Sequence, residues 1–159
     1  MLTKKMEDAL NGQVNAELYS SYLYLAMGAY FDAAKRPGMS HWMREQAKEE
    51  QVHGMKLFDY LAQNGRVKLS AIDAPPGEWS SPLAVFEAVL AHEKKVTGLI
   101  NGLVQVARAE QDAATERFLA WFVKEQEEEE ESAEKVIKLV AAAGNAQALA
   151  AVDAELGKR

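Results

Sequence analysis

Four long segments of this chain carry interior-type residues at alternating intervals of three and four, and a glutamate interrupts each series near its middle. Such spacing places the residues of one series on a single face of an α-helix. A charged glutamate on that face is costly to bury unless it is paired or bound to a metal. The chain therefore predicts a helical bundle that has to compensate four interior carboxylates.

The four series define the predicted interior. They are Met6, Leu10, Gln13, Glu17, Ser20, Tyr24, Met27 and Phe31; Met39, Met43, Gln46, Glu50, His53, Leu57 and Tyr60; Leu83, Phe86, Leu90, Glu93, Thr97, Ile100, Val104 and Ala107; Thr115, Leu119, Phe122, Gln126, Glu129, Ala133, Val136 and Val140. We expect helices at about 5–34, 39–63, 82–109, 112–143 and 146–156. Ser81-Pro82 is a start signal, and Asn64-Gly65 predicts a left-handed stop.

The connection between the second and third helices is the longest in the chain. It spans residues 66–80 and contains Pro75-Pro76-Gly77. Fifteen extended residues reach about 50 Å, whereas a helix of 28 residues is about 40 Å long. The second and third helices can therefore lie parallel, joined by one long crossover, in a single domain over residues 1–159. A loose surface loop is the alternative interpretation.

Composition excludes several classes of protein. The formal net charge of −6 argues against a nucleic-acid coat, which needs clustered Lys and Arg. No apolar run is long enough to cross a membrane, and the first residues do not resemble a signal peptide. The chain has no cysteine, which rules out disulfides, thiolate zinc sites and iron–sulfur clusters. We expect a cytoplasmic protein without nucleic-acid or membrane partners.

A dinuclear metal centre would account for the four interior carboxylates. Glu17, Glu50, Glu93 and Glu129 carry four negative charges, which two divalent cations would neutralise. His53 lies three residues after Glu50 and shares its helix face. Carboxylate oxygens with one imidazole suit Fe(II), Mn(II) or Zn(II). The spacing predicts the metal site but does not select the reaction.

Four motifs resemble the ferroxidase motifs of bacterial non-haem ferritins: residues 15–24 (NAELYSSYLY), 49–53 (EEQVH), 92–93 (HE) and 125–129 (EQEEE). The resemblance extends from about residue 2 to residue 156. It implies an all-α, ferritin-like four-helix bundle with a short fifth helix. It also implies iron storage, in which Fe(II) is oxidised by O2 or H2O2 and ferric oxide is deposited inside a hollow, cytoplasmic shell of twenty-four identical subunits.

The resemblance also implies roles for individual residues. By this similarity the first iron is held by Glu17, Glu50 and His53; the second by Glu93 and Glu129, with Glu50 bridging and Gln126 beside it; and a third, weaker site by Glu49, Glu125 and Glu128. Tyr24 is similar to a tyrosine that can donate an electron to the centre. Each of these residues could instead have a purely structural role. Gln126 could only donate hydrogen bonds, and Tyr24 could be an ordinary core aromatic. The 127–131 run could be largely a solvated helix face.

Two departures separate this chain from relatives of the same fold. The fourth helix has Gln126-x-x-Glu129 where bacterioferritins have a second Glu-x-x-His, and Gln51 stands where their haem-ligating methionine would be. The resemblance implies two irons per subunit and a possible third, and from Gln51 we expect no haem.

Three other functions stay open at this point. A non-catalytic helical interaction module would use its carboxylates only to fix register. A DNA-coating mini-ferritin would place its metals between subunits, whereas all of these ligands fall within one bundle. A third alternative keeps the two metals but uses manganese or another redox reaction.

Overall fold

The computed structural model describes all residues from Met1 to Arg159 and contains five helices and no strand. The helices are α1 (Lys4–Ala33), α2 (Pro37–Asn64), α3 (Pro82–Ala109), α4 (Ala113–Ala142) and α5 (Ala146–Leu156). The first four form the bundle, and the short α5 packs mainly on α2. None of these helices combines the length and the apolar composition needed to cross a bilayer.

Local signals in the sequence explain most of the helix starts. Thr3, Ser81, Asp112 and Asn145 each accept a hydrogen bond from a backbone N–H in the first turn of the following helix. The start of α2 differs, because Arg36 makes no such bond and Pro37 occupies the first turn. The Asp153 side chain from α5 takes this role, accepting from the Met39 N–H at 2.8 Å.

The crossover between α2 and α3 is pinned along α1. The Asn11 amide donates to the Arg66 carbonyl at 3.0 Å and accepts from the Lys68 N–H at 2.6 Å. Further along α1, Asn15 donates to the Ala71 carbonyl at 3.0 Å. The crossover therefore runs beside α1 and is attached to it by hydrogen bonds, and it is not a loose loop.

The predicted left-handed stop after α2 is wrong. The helix does end at Asn64, but Gly65 is extended (φ −164°, ψ −150°). The left-handed residues are Lys35 and Gln111, in the turns between α1 and α2 and between α3 and α4. Gly65 is extended because the chain turns at once toward α1, where Glu7 accepts a hydrogen bond from the Arg66 N–H at 2.9 Å.

Two apolar clusters fill the bundle. The first, here called the Phe86 cluster, contains Leu23, Tyr24, Met27, Phe31, Met39, Trp42, Met43, Ala47, Val85, Phe86, Val89, Ala133, Val136, Val140 and Leu156. The second, the Phe122 cluster, contains Met6, Leu10, Val14, Leu57, Leu61, Val96, Ile100, Leu103, Ala107, Leu119 and Phe122. Each bundle helix passes from one cluster to the other, and the amino-terminal halves of α2 and α3 share the Phe86 cluster. These two helices are therefore parallel, which confirms the predicted four-helix bundle with one long crossover.

The interior of α3 differs in part from the predicted series. Phe86, Glu93, Ile100 and Ala107 are buried as expected, but Leu83, Leu90, Thr97 and Val104 are only half-buried. Their places are taken by Val85, Val89, Val96 and Leu103. Both sets are predominantly apolar, so the sequence pattern could not choose between them, and the neighbours of α3 fix its rotation.

Candidate metal centre

A layer of polar side chains separates the two apolar clusters at mid-height. We call this set the polar layer; its members are Glu17 from α1, Glu50 and His53 from α2, Glu93 from α3, and Gln126 and Glu129 from α4. Each member is at most 6% exposed. Every bundle helix contributes a carboxylate because its glutamate lies on the interior face, where the apolar series changes from one cluster to the other.

The layer contains two overlapping groups of possible metal ligands. Glu17, Glu50 and His53 form the first group, and Glu50, Glu93 and Glu129 form the second. Within each group the ligand atoms lie within 4.8 Å of one another. Glu50 belongs to both groups, so one carboxylate is shared between two possible cation positions.

The surroundings of these carboxylates disfavour their charged forms. Burial raises the pKa of Glu17 well above its ordinary value, and the charge of Glu50 raises it further. Burial raises the pKa of Glu50 in the same way, followed by the charges of Glu93 and Glu129. Burial also raises the pKa of Glu93. Burial and the neighbouring Glu93 raise the pKa of Glu129 to about 7. The layer thus favours added positive charge.

Hydrogen bonds satisfy only part of the layer. Gln13 donates to Glu17 Oε1 at 2.8 Å, and Gln46 donates to Glu50 Oε1 at 3.1 Å and to Glu129 Oε2 at 2.6 Å. The second oxygens of Glu17 and Glu50 are buried and accept no hydrogen bond, although His53 Nδ1 lies 3.3 Å from Glu50 Oε2. Such orphaned oxygens are destabilising in a folded protein. A divalent cation would satisfy both, so the residues fit a metal centre.

Sequence reasoning gave Gln13 and Gln46 no role, although both were placed on the interior face. Each lies four residues before a layer glutamate, at the separation where side chains of one helix meet. The repeated Gln-x-x-x-Glu pattern is the signal that could have identified them as donors that hold ligand carboxylates.

Tyr24 and Gln126 both contact Glu93. The Tyr24 hydroxyl, fully buried, donates to Glu93 Oε1, and burial followed by the Glu93 charge raises the pKa of Tyr24. The Gln126 amide nitrogen donates to Glu93 Oε2 at 3.1 Å and to the Glu93 carbonyl at 3.2 Å. In this arrangement Gln126 orients the carboxylate of its neighbour through its nitrogen.

The carboxylates expected at a third site are partly dispersed. Glu125 groups with His53 and Glu129 as possible metal ligands, and its Oε1 lies 3.5 Å from His53 Nε2. Glu49 instead pairs with Arg159 at 2.7 Å, and Glu128 approaches Lys124 at 3.8 Å. The structure therefore brings Glu125 to the layer and places Glu49 and Glu128 in ion pairs.

His92 is a further polar residue behind the layer. Its Nε2 lies 2.7 Å from the Ser20 hydroxyl, and its ring meets Tyr24 edge-on with centroids 5.9 Å apart. Burial, followed by the charge of Lys95, lowers the pKa of His92 to about 4. His92 is therefore neutral near pH 7 and packs as a support for Tyr24, whereas His53 faces the carboxylates.

The donor set of the polar layer restricts its chemistry. Carboxylate oxygens with one imidazole favour borderline and hard divalent ions such as Fe(II), Mn(II) and Zn(II). Two adjacent positions with a shared carboxylate suit a reaction that removes one electron from each of two metals. A purely structural role would leave buried oxygens unsatisfied.

Comparisons with known proteins agree with this geometry. The family described as a ferritin-like domain matches residues 7–143. The chain is 41% identical to a bacterial non-heme ferritin of Bacteroides fragilis, with both chains fully covered. It is 38% identical to one of Staphylococcus aureus, covering all of this chain and 97% of the relative.

Solved structures give the same result. The structure described as a novel open pore ferritin from the hyperthermophilic archaeon Archaeoglobus fulgidus superposes with a TM-score of 0.98 at 49% identity. The match covers all of this chain and 99% of that one. A closed form of the same archaeal ferritin, engineered by site-directed mutagenesis, also superposes with a TM-score of 0.98, at 50% identity.

Proposed function

The chain belongs to the ferritin family of iron-storage proteins, and we propose that its polar layer is a ferroxidase centre that oxidises Fe(II) with O2 or H2O2. Fe(II) is the substrate. Two ions bind side by side, one at Glu17, Glu50 and His53 and the other at Glu50, Glu93 and Glu129. Each ion gives up one electron to the oxidant, and the ferric product is stored as a hydrated oxide mineral.

The observation that carries the proposal is that one buried oxygen of Glu17 and one of Glu50 accept no hydrogen bond. Both residues belong to groups of possible metal ligands, and Glu50 is common to two of these groups. Positioning and charge balance are the contribution of the protein, because the electrons come from the metal itself.

The remaining residues have supporting roles in this proposal. Gln13 and Gln46 hold their carboxylates in place through the hydrogen bonds described above. Tyr24 is assigned the role of an electron donor to the centre, since its hydroxyl donates a hydrogen bond to Glu93. Gln126 orients Glu93. A third, weaker iron site is assigned to Glu49, Glu125 and Glu128, through which product leaves the layer.

We also propose that the chain assembles into a hollow, cytoplasmic shell of twenty-four identical subunits, which holds the mineral. Similarity to ferritins over the full length of the chain supports this assembly. Gln51, at the place where a bacterioferritin would have its haem methionine, supports a non-haem protein.

The test is stopped-flow absorbance after Fe(II) is mixed with aerobic protein. We expect Glu50→Ala to slow the fast oxidation phase by about 100-fold or more, because both metal positions lose a ligand. Glu127→Ala is the matched control, since Glu127 is an exposed glutamate of the same acidic run. Size-exclusion chromatography with light scattering verifies that both variants assemble. Fast oxidation by assembled Glu50→Ala would refute the assignment.

A further inference from the structure

Arg159, three residues beyond α5, is held against α2 by a set of specific contacts. Its guanidinium donates to Glu49 Oε2 at 2.7 Å and to the Trp42 carbonyl at 3.4 Å. The guanidinium carbon also lies 4.5 Å from the centroid of the Trp42 ring. The Arg159 carbonyl oxygen accepts from His41 Nε2 at 2.7 Å. These contacts fix both the backbone and the side chain of Arg159 beside Glu49.

Glu49 is thereby engaged by a cation of the protein's own. Its neighbour Glu50 points into the polar layer, whereas the Glu49 side chain is 49% exposed and turned toward Arg159. We propose that Arg159 competes with iron for Glu49 and so lowers the affinity of the third site. This inference rests on the proposed function, which assigns Glu49 to that site.

The competition follows from charge and geometry. An arginine stays protonated at every physiological pH, so the guanidinium cannot leave by losing its proton. A divalent ion on Glu49 would lie a few ångströms from this positive group and would be repelled by it. Iron can bind at Glu49 only when Arg159 swings away from the carboxylate.

The expected effect is modest. Partly exposed ion pairs change an equilibrium constant by at most about fivefold, and the Trp42 face adds a comparable contribution. We therefore expect removal of the guanidinium to tighten the third site about two- to tenfold. The gain should shrink at high salt, because screening weakens an exposed pair. The two positions of the polar layer should keep their affinities, since Arg159 does not contact them.

The experiment is calorimetric titration of the assembled, metal-free protein with Zn(II), which probes binding without redox chemistry. Arg159→Gln should strengthen the weakest class of Zn(II) sites and leave the two tighter classes unchanged. Lys158→Gln is the matched control, because Lys158 pairs only with the exposed Glu155, at 2.9 Å. It should behave like the parent protein.

Glu49→Gln gives the reciprocal measurement. This variant should weaken the third class of Zn(II) sites and speed hydrogen exchange at residues 157–159, and adding Arg159→Gln to it should change nothing further. If Glu49→Gln weakens the third class but Arg159→Gln leaves it unchanged, the competition is wrong and the third site stands. If Glu49→Gln has no effect on Zn(II), or no third class exists in any variant, both the competition and that part of the proposed function fail. The ferroxidase assignment is tested separately through Glu50.

Discussion

The apolar clusters and the polar layer occupy the same bundle but have opposite energetics. The Phe86 cluster and the Phe122 cluster stabilise the fold by removing large side chains from water, at about 25 cal/mol for each Å² of apolar surface. The polar layer buries four carboxylates that destabilise the metal-free fold. The two ends of the bundle therefore stabilise the subunit, whereas the middle sacrifices stability for a group of side chains that could hold metal ions.

Of the changes that test this contrast, removing a large side chain from an apolar cluster should have the largest effect on stability. Phe86 is fully buried and packs on Phe31 and Trp42, with ring centroids 5.5 Å and 5.4 Å away. We expect Phe86→Ala to lower the free energy of unfolding by about 3–5 kcal/mol, measured by chemical denaturation. The exposed Leu139→Ala is the control and should cost much less. Zn(II) affinity of the folded Phe86→Ala protein should stay unchanged, and a large loss of affinity would contradict the separation of the two regions.

The pH dependence of stability probes the layer itself. The pKa of Glu129 rises from an ordinary 4.5 to about 7 in the folded chain. Between these values the folded state keeps a proton that the unfolded state releases, so the stability of the metal-free protein should fall as pH rises from about 5 to 8. For this residue the fall should be on the order of 1–3 kcal/mol.

Thermal unfolding across this pH range measures the effect. Glu129→Gln, which cannot ionise, should show a shallower fall, and saturating Zn(II) should reverse the trend, because metal binding competes with protons. Equal slopes for the parent and Glu129→Gln would show that Glu129 is not the buried acid described here.

The smallest of the expected changes in stability concerns the edge of the Phe86 cluster, where α5 packs on α2. A Cβ atom on Gly38 would lie 1.7 Å from the Asp153 carbonyl oxygen, whereas one on Gly12 would meet nothing within 4 Å. We expect Gly38→Ala to cost about 1–3 kcal/mol and to speed hydrogen exchange in α5. Gly12→Ala should instead stabilise α1 by about 0.5–1 kcal/mol. Similar melting temperatures for the two variants would contradict the close packing of α5.

Much of this architecture could be predicted from sequence, because charged residues stand at positions that the helical periodicity assigns to the interior. Glu17 and Glu129 interrupt otherwise regular interior series, and all eight residues of the α4 series are buried. The α3 series was partly misplaced because Val85 and Val89 compete with Leu83 and Leu90 for the same interior. Periodicity alone cannot separate two mainly apolar faces that lie side by side.

Other contacts had no signal in the pattern at all. Asp153 caps α2 across 114 residues, and Arg159 reaches Glu49 across 110. Both residues lie outside the four long series, in a short segment whose direction depends on tertiary packing. Local propensity reports the helix around Asp153 but not the helix end that it contacts.

Under the proposed function, the position of the polar layer between two apolar clusters also dictates how iron travels within one subunit. Moving an ion along the bundle axis would mean dragging it through tightly packed hydrocarbon, which costs tens of kcal/mol for a bare charge. The ions must instead enter and leave between two helices, through the side of the bundle. Glu125, with a quarter of its side chain exposed and 3.5 Å from His53, lies on that side. The rate of uptake is therefore a property of the flank of the molecule, and its ends can change without altering it.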